Sequence, residues 1–314
     1  MRYTLENDEL IVEVDSFGAE LRSIRDKKTG KEYMWNADPA FWKRTAPVLF
    51  PFVGSVRDQK YSFMGESYPM GQHGFARDNE FVKLDCAAGS GCDKQDKEAK
   101  QEKEAKQEIW FEFRSNEETM KVYPFEFVLR LGYVLSGRCV TPHWAVRNPS
   151  ETENLYYSLG GHPAFMCPAL VEGEKDSYEL VLADEEGKPV EHFISSVIGK
   201  GGLLSEEKKA YKAENGRIPI CPELFEDDAL ILEEGKVCRV GLAKEGEAPY
   251  LNVSYDAPLV GIWSPPGKRA PFICIEPWYG RCDKETFEGS LEEREWGNML
   301  IPGDYFHTCY SIYV

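Results

Sequence analysis

Apolar residues recur at every second position over short runs, and Gly, Pro, Asn and Asp cut those runs every ten residues or so. YTLENDELIVEV at 3–14 reads as two short strands around an Asn-Asp turn. The stretch from Ala19 to Trp35 repeats the device, with LRSIRD, then Lys-Lys-Thr-Gly, then KEYMW. Further along, IWFEFRS, FEFVLRLGYVLSG, VTPHWAVRN, YELVLA, ALILEE and PLVGIWS are short, rich in aromatic and aliphatic residues, and often alternating. The pattern predicts an all-β chain built as a large antiparallel sandwich or barrel. Helical periodicity is weak, and helix is expected only over ADPAFWKR, about 37–44, and in a short turn near 286–294. Strands do not alternate with helices, which argues against a doubly wound nucleotide-binding sheet.

One segment breaks the pattern. From Asp93 to Glu108 the chain reads DKQDKEAKQEKEAKQE, repeats a KEAKQE unit and carries nothing apolar larger than Ala. Mixed charge with no apolar face neither packs a core nor makes an adhesive surface. That favours a solvated hairpin insertion, extended or partly helical, over a partner-binding arm. It falls between a strand ending near Leu84 and one beginning at Ile109. No other stretch reads as a linker, so residues 1–314 are expected to form one domain.

Charge and composition narrow the function. Acidic residues outnumber basic ones 54 to 37, a net charge of −17, so a nucleic-acid backbone or an anionic membrane is not the expected partner. A local basic pocket remains compatible with that total. No run approaches the ~18–20 apolar residues of a membrane span, and MRYTLENDEL lacks the layout of a signal peptide. Nine cysteines, an odd number without a CxxC pair, predict reduced and mostly buried thiols in a cytoplasmic protein, with no metal centre. Nothing in the sequence sets an oligomeric state.

Several residues could carry chemistry. His73 sits in GQHGFARDNEF and His162 in YYSLGGHPAF, both beside glycines that let backbone approach a ligand. Either histidine alone is as well explained by a structural role. Glu276 ends the apolar run of APFICIEPWYG, where partial desolvation would raise a carboxyl toward general-base range. A solvated strand-end acid is the plain alternative. Asp227 and Asp228 open the strand in LFEDDALIL and also suit ordinary turn chemistry. Trp263, Trp278 with Tyr279, and Trp35 and Trp42 lie near these points. Flat rings beside carboxylates and histidines suit carbohydrate, although core packing explains such rings equally well. Arg44, Arg57 and Arg77 could contact sugar hydroxyls or a phosphate, or simply pair on the surface.

Taken in order, HGFAR at 73–77, NPSETENLYYSLGGHPAF at 148–165 and IEPWYG at 275–280 resemble the aldose 1-epimerase, or galactose mutarotase-like, superfamily. FPFVGSVRD at 50–58 and LFEDDALIL at 224–232 resemble its LacX-type branch, and the likeness spans about residues 2–313 outside the insertion. The first motif departs from the galactose mutarotase form, which has two glycines after the histidine. The resemblance implies a β-supersandwich of antiparallel sheets and a small-molecule sugar substrate, with no metal or other cofactor. It implies His162 as general acid toward the ring oxygen and Glu276 as general base at the C1 hydroxyl. It places His73, Asp228 (with Asp227 as its rival), Arg57 and Arg77 around the sugar, and Trp278, just after Glu276, is the ring expected to join them. Arg77 stands where the hexose-6-phosphate epimerase branch contacts phosphate.

Anomers interconvert when a base takes the C1 hydroxyl proton while an acid protonates the ring oxygen. The opened aldehyde turns and recloses on the other face. Each positioned proton transfer is worth about 10²–10⁴ in rate. The expected activity is therefore mutarotation of a hexose, free or 6-phosphorylated, by two groups facing each other across a pyranose-sized space in an open groove. Glycoside hydrolysis would want two flanking carboxylates, which Glu276 and Asp228 could supply, but it leaves both histidines idle. A sugar-binding protein without turnover is the remaining reading.

Overall fold

The computed structural model describes residues 1–85 and 107–314. The charged repeat lies outside the described residues except for Gln107 and Glu108. These two open the strand Gln107–Arg114, so it starts before Ile109. Both are in register with the neighbouring strand, opposite Leu135 and Val134, and the Gln107 Oε1 accepts from the Glu6 N–H. Polar side chains on a strand's exposed end thus extended a ladder that hydrophobicity alone would have stopped.

Every ladder between the strands described is antiparallel. Nine strands form one large sheet, running from Arg217–Pro219 at one edge through the central Tyr305–Tyr313 and Cys139–Arg147 to Val82–Lys83 at the other. Seven strands form the path of the second, from Leu204–Lys212 through Leu259–Trp263, Phe272–Tyr279 and Leu159–Gly161 to Val48–Leu49, and Ala164–Met166 also pairs with Phe272–Tyr279. Apolar side chains of both sheets share one buried cluster, including Leu180, Val253, Ile312, Ile262, Ile273 and Ile275. The core therefore lies between the sheets.

Alternation along the second sheet positions the site. Phe272–Tyr279, FICIEPWY, is buried over nearly its whole length. Ile273 and Ile275 enter the main core, whereas Phe272, Cys274 and Trp278 join two smaller clusters on the sheet's opposite face. That strand is apolar on both sides because both faces are covered. Glu276 shares the face of Phe272, Cys274 and Trp278, so it is held between the two smaller clusters.

Local expectations were met unevenly. LRSIRD lies within the strand Glu20–Asp26, but KEYMW makes only isolated bridges at Glu32 and Met34. Residues 37–44 do not form a helix. Pro39 follows Asp38, the Asn36 and Asp38 side chains accept the N–H groups of Asp38 and Ala40, and a single turn results. The turn near 286–294 is present as the 3₁₀ segment Leu291–Glu293. The α-helix described is Glu117–Val122, capped by Asn116 and Thr119 in a reciprocal box. Among the described residues no helix is long and apolar enough to cross a membrane, and all seven cysteines are free thiols.

Candidate active site

Strand register explains why two distant motifs meet. Gly160 is opposite Trp278 and Ala164 is opposite Cys274. Counting inward from both pairs places His162 directly opposite Glu276. Cross-strand neighbours have Cβ atoms about 4.5–5.5 Å apart, and here the His162 Nδ1 lies 3.3 Å from the Glu276 Oε1. The Pro163 ring removes one ladder donor at this point, and the His162 N–H instead donates to the Pro47 carbonyl. The two preceding glycines are required by rings on either side. A Cβ on Gly160 would come within 2.7 Å of the Trp278 ring, and one on Gly161 within 2.7 Å of the Trp144 ring. The Gly-Gly-His-Pro run is thus a strand squeezed between two indoles, carrying a histidine to the sheet's outer face.

The pair is closed in. Glu276 is 1% exposed and His162 7%. His162 Nδ1 and Glu276 Oε2 are buried without a hydrogen-bond partner, so the 3.3 Å contact is close but not aligned. The groups stand side by side, not across a pyranose-sized gap as the sequence suggested.

Burial drives both groups toward their neutral forms. It pushes the His162 imidazole down to about 3, with the Arg77 guanidinium adding to the effect. It pushes the Glu276 carboxyl well above the usual carboxylate range, reinforced by the charge of Asp228. The Trp278 indole N–H offsets part of that rise, although its geometry makes no hydrogen bond. His73 is also held well below its ordinary value by burial, then by His162, Arg77 and Arg44. These shifts set an acid-side stability slope. Below the ordinary histidine value of 6.5 the unfolded chain takes up protons that the folded chain refuses at His73 and His162. Urea midpoints are therefore expected to fall from pH 7 to pH 5, before most carboxylates titrate, and His162→Asn should flatten part of the slope. A midpoint indifferent to pH over that range would contradict the assignment.

His73 reaches the pair from a loop. Its Nδ1 accepts from the Gly54 N–H at 3.0 Å, and its own N–H donates to the Gly54 carbonyl at 2.9 Å. An accepting Nδ1 leaves the proton on Nε2. Its ring centroid lies 5.7 Å from that of His162. The loop turns through positive φ at His73 (66°) and Gly74 (68°), and a Cβ on Gly74 would lie 2.3 Å from the Phe50 carbonyl oxygen. Only glycine fits the second position. Asp228 is half-buried, its carboxyl raised by burial and its charge felt at Glu276. Asp227 is exposed and paired with Lys209. The structure thus brings Asp228, and not Asp227, to the site.

One assigned residue falls elsewhere and another is closed off. The Arg57 guanidinium donates to the Phe287 carbonyl at 2.9 Å and sits 3.3 Å from Glu288, on a separate cleft with Ser62 and Gly289. Its turn is fixed by the Asp283 carboxylate, which accepts the Arg57 backbone N–H, and this aims the side chain away from the histidines. Trp278 is on the correct face but only 5% exposed, wedged against Gly160, so it offers no open ring to a sugar. The accessible rings are Trp42, stacked on His162 with centroids 4.6 Å apart, and Trp263, set edge-on at 5.4 Å. Both were among the rings the sequence offered, and strand register sets Trp263 opposite Cys274. Arg77 donates to the Gln72 carbonyl and, with Arg44, flanks the single carboxylate of Asp78. Two guanidinium groups against one acid leave positive charge beside the histidines.

The sequence model of the aldose 1-epimerase family matches residues 1–280. The chain belongs to the aldose 1-epimerase family. It is 30% identical to the plasmid-encoded protein LacX of Lactococcus lactis subsp. lactis over 320 residues, 99% of each chain. A galactose mutarotase related enzyme from Lactobacillus acidophilus has a similar structure, with TM-score 0.85, 33% identity, and coverage of 100% of this chain and 97% of that one. A galactose mutarotase-like protein from Lactobacillus casei gives TM-score 0.84 at 28% identity, covering 100% and 99%. The fold is the galactose mutarotase-like supersandwich of antiparallel sheets that the motifs implied.

Proposed function

We propose that this family member interconverts the α and β anomers of a hexose, with His162 and Glu276 carrying the protons. The observation that carries the reading is the buried 3.3 Å contact between them, beneath the rings of Trp42 and Trp263. With both groups held neutral, the pair contains one transferable proton on Glu276 and one on His162 Nε2. As the ring opens, His162 Nε2–H donates to the ring oxygen, and Glu276 Oε1–H passes its proton to His162 Nδ1. Glu276 Oε2 takes the proton of the C1 hydroxyl. Every proton lost is replaced, no charge is left behind, and reversal of the same steps closes the ring on either face. His162 thus acts as acid and Glu276 as base, as the family resemblance implied. Catalytic contacts that are loose without substrate commonly tighten when it binds. His73 Nε2–H and Asp228 hold the sugar's hydroxyls.

A free aldose is the preferred substrate. The charge of Arg44 and Arg77 supports a second reading, a hexose 6-phosphate, because the two share Asp78 and the nearby Glu20 is itself paired with Arg22. NMR exchange between anomers, run across free and 6-phosphorylated hexoses, tests both. Acceleration of free sugars unaffected by Arg77→Ala supports the first. A strong preference for the phosphate that collapses in Arg77→Ala replaces it with the second. No acceleration with any sugar would leave a binding protein, and aglycone release from nitrophenyl glycosides would indicate a hydrolase.

A further inference from the structure

Cys274 has no part in the proton transfers, yet it lies two residues before Glu276 on the same face of the same strand. The His162 nitrogen, the Cys274 Sγ and a Glu276 oxygen all lie within 4.8 Å of one another, and all three residues are buried. Bond lengths of about 2.0–2.3 Å to nitrogen, oxygen and sulfur put the donors around a tetrahedral zinc about 3.3–3.8 Å apart. The His162–Glu276 separation of 3.3 Å already meets this, and the sulfur needs a shift of about 1 Å at most. His162 Nδ1 and Glu276 Oε2 have no partner in the protein, so two donors are free to be claimed.

We propose that the pocket also binds a thiophilic divalent cation, Zn²⁺ or Co²⁺, through His162, Cys274 and Glu276, and that the bound ion switches proton transfer off. Binding releases the Cys274 thiol proton and the Glu276 proton to solvent. Thiolate and carboxylate then cancel the two positive charges of the metal, and the buried site stays neutral. Three protein donors leave a fourth position open, as in accessible rather than closed zinc sites. A thiolate with an imidazole selects soft or borderline ions, whereas Mg²⁺ and Ca²⁺ require more oxygen ligands than this set holds. The ion occupies the nitrogen and oxygen that the relay uses. The inhibitory half of the proposal rests on the epimerase reading; the binding half does not.

Co²⁺ titration of the chelator-stripped protein, without sugar, tests binding by absorption. A thiolate-to-cobalt charge-transfer band is expected in the wild type, absent with Mg²⁺, abolished by Zn²⁺, and missing in Cys274→Ala. Competition with a chromophoric chelator should show Zn²⁺ bound at least tenfold more weakly by Cys274→Ala and by His162→Gln. Two variants guard against a folding defect in either. No band in the wild type, or a band surviving in Cys274→Ala, overturns the proposal. In the anomer-exchange assay, Zn²⁺ should silence the wild type while Cys274→Ala turns over at the same metal concentration. Metal binding that leaves wild-type turnover intact overturns the switch. Absence of turnover in metal-free wild type defeats the epimerase reading instead and leaves the cobalt result standing.

Discussion

Glu276→Gln is expected to lower kcat by about 10²–10⁴ with little change in KM. Glutamine keeps the shape of the side chain and its place opposite His162, so the sugar should still bind. Its amide can neither accept the C1 hydroxyl proton nor resupply His162 Nδ1, which breaks the relay at both ends. Stability should move the other way. Because the carboxyl is raised well above its usual range, the folded protein holds a proton that the unfolded chain releases, and stability is lost as pH rises through the raised value. Glutamine has no such proton to lose, so its melting temperature at alkaline pH should equal or exceed that of the wild type. A variant that keeps more than about a tenth of the wild-type rate would remove Glu276 from the mechanism. A variant that loses rate and stability together would mark it as structural.

The second large effect lies at the separate cleft that holds Arg57. Arg294 and Asp283 form a pair that is almost wholly buried, with Nε 2.6 Å from Oδ1 and only 4–5% of either side chain exposed. Arg294 also donates to the Arg281 carbonyl and lies over the Phe52 ring at 4.6 Å. Arg294→Met would strand the Asp283 carboxylate in the interior, at a cost of about 3–5 kcal/mol. Asp283→Asn in the same chain should recover part of that loss, since the charge needing a partner is gone. Urea midpoints of the two singles and the double measure it, and a loss below about 1 kcal/mol for Arg294→Met would show that water reaches the acid. The damage should extend to turnover. The Asp283 N–H donates to the Ser55 carbonyl, and the adjoining Gly54 holds His73 in its tautomer.

The strands were legible because their alternation reports burial directly, and the motif residues His73, His162, Asp228 and Glu276 do share one site. What stayed hidden depended on geometry that spacing does not encode. FICIEPWY reads as one apolar run, so the separation of Ile273 and Ile275 from Cys274 and Trp278 shows only once both sheet faces are known to be covered. Trp278 follows the glutamate closely enough to suggest a sugar platform, but Gly160 and Gly261 on the flanking strands let its ring pack flat against the sheet. Trp42 was among the rings the sequence offered, but its stacking on His162 was not legible, because the segment expected as helix is folded into a turn by side-chain hydrogen bonds. Arg57 stands within a family-like motif, and its direction was decided by Asp283, a residue far along the chain.

The placement of Phe272–Tyr279 also bears on how the protein is made. This strand pairs with Leu259–Trp263 on one side and with Leu159–Gly161 and Ala164–Met166 on the other, so it is the seam of its sheet. Translation at about 5–20 residues per second separates it from Met1 by on the order of 15–55 s. Until then Leu159–Gly161 has only Val48–Leu49 beside it, and Ala164–Met166 lacks its strand partner. The His162–Glu276 pair forms only after residue 276 has been made, and long-range pairing of this kind folds slowly. In a cell, the yield of active protein should therefore depend on how well that interval is guarded by chaperones, more than on the stability of the completed fold.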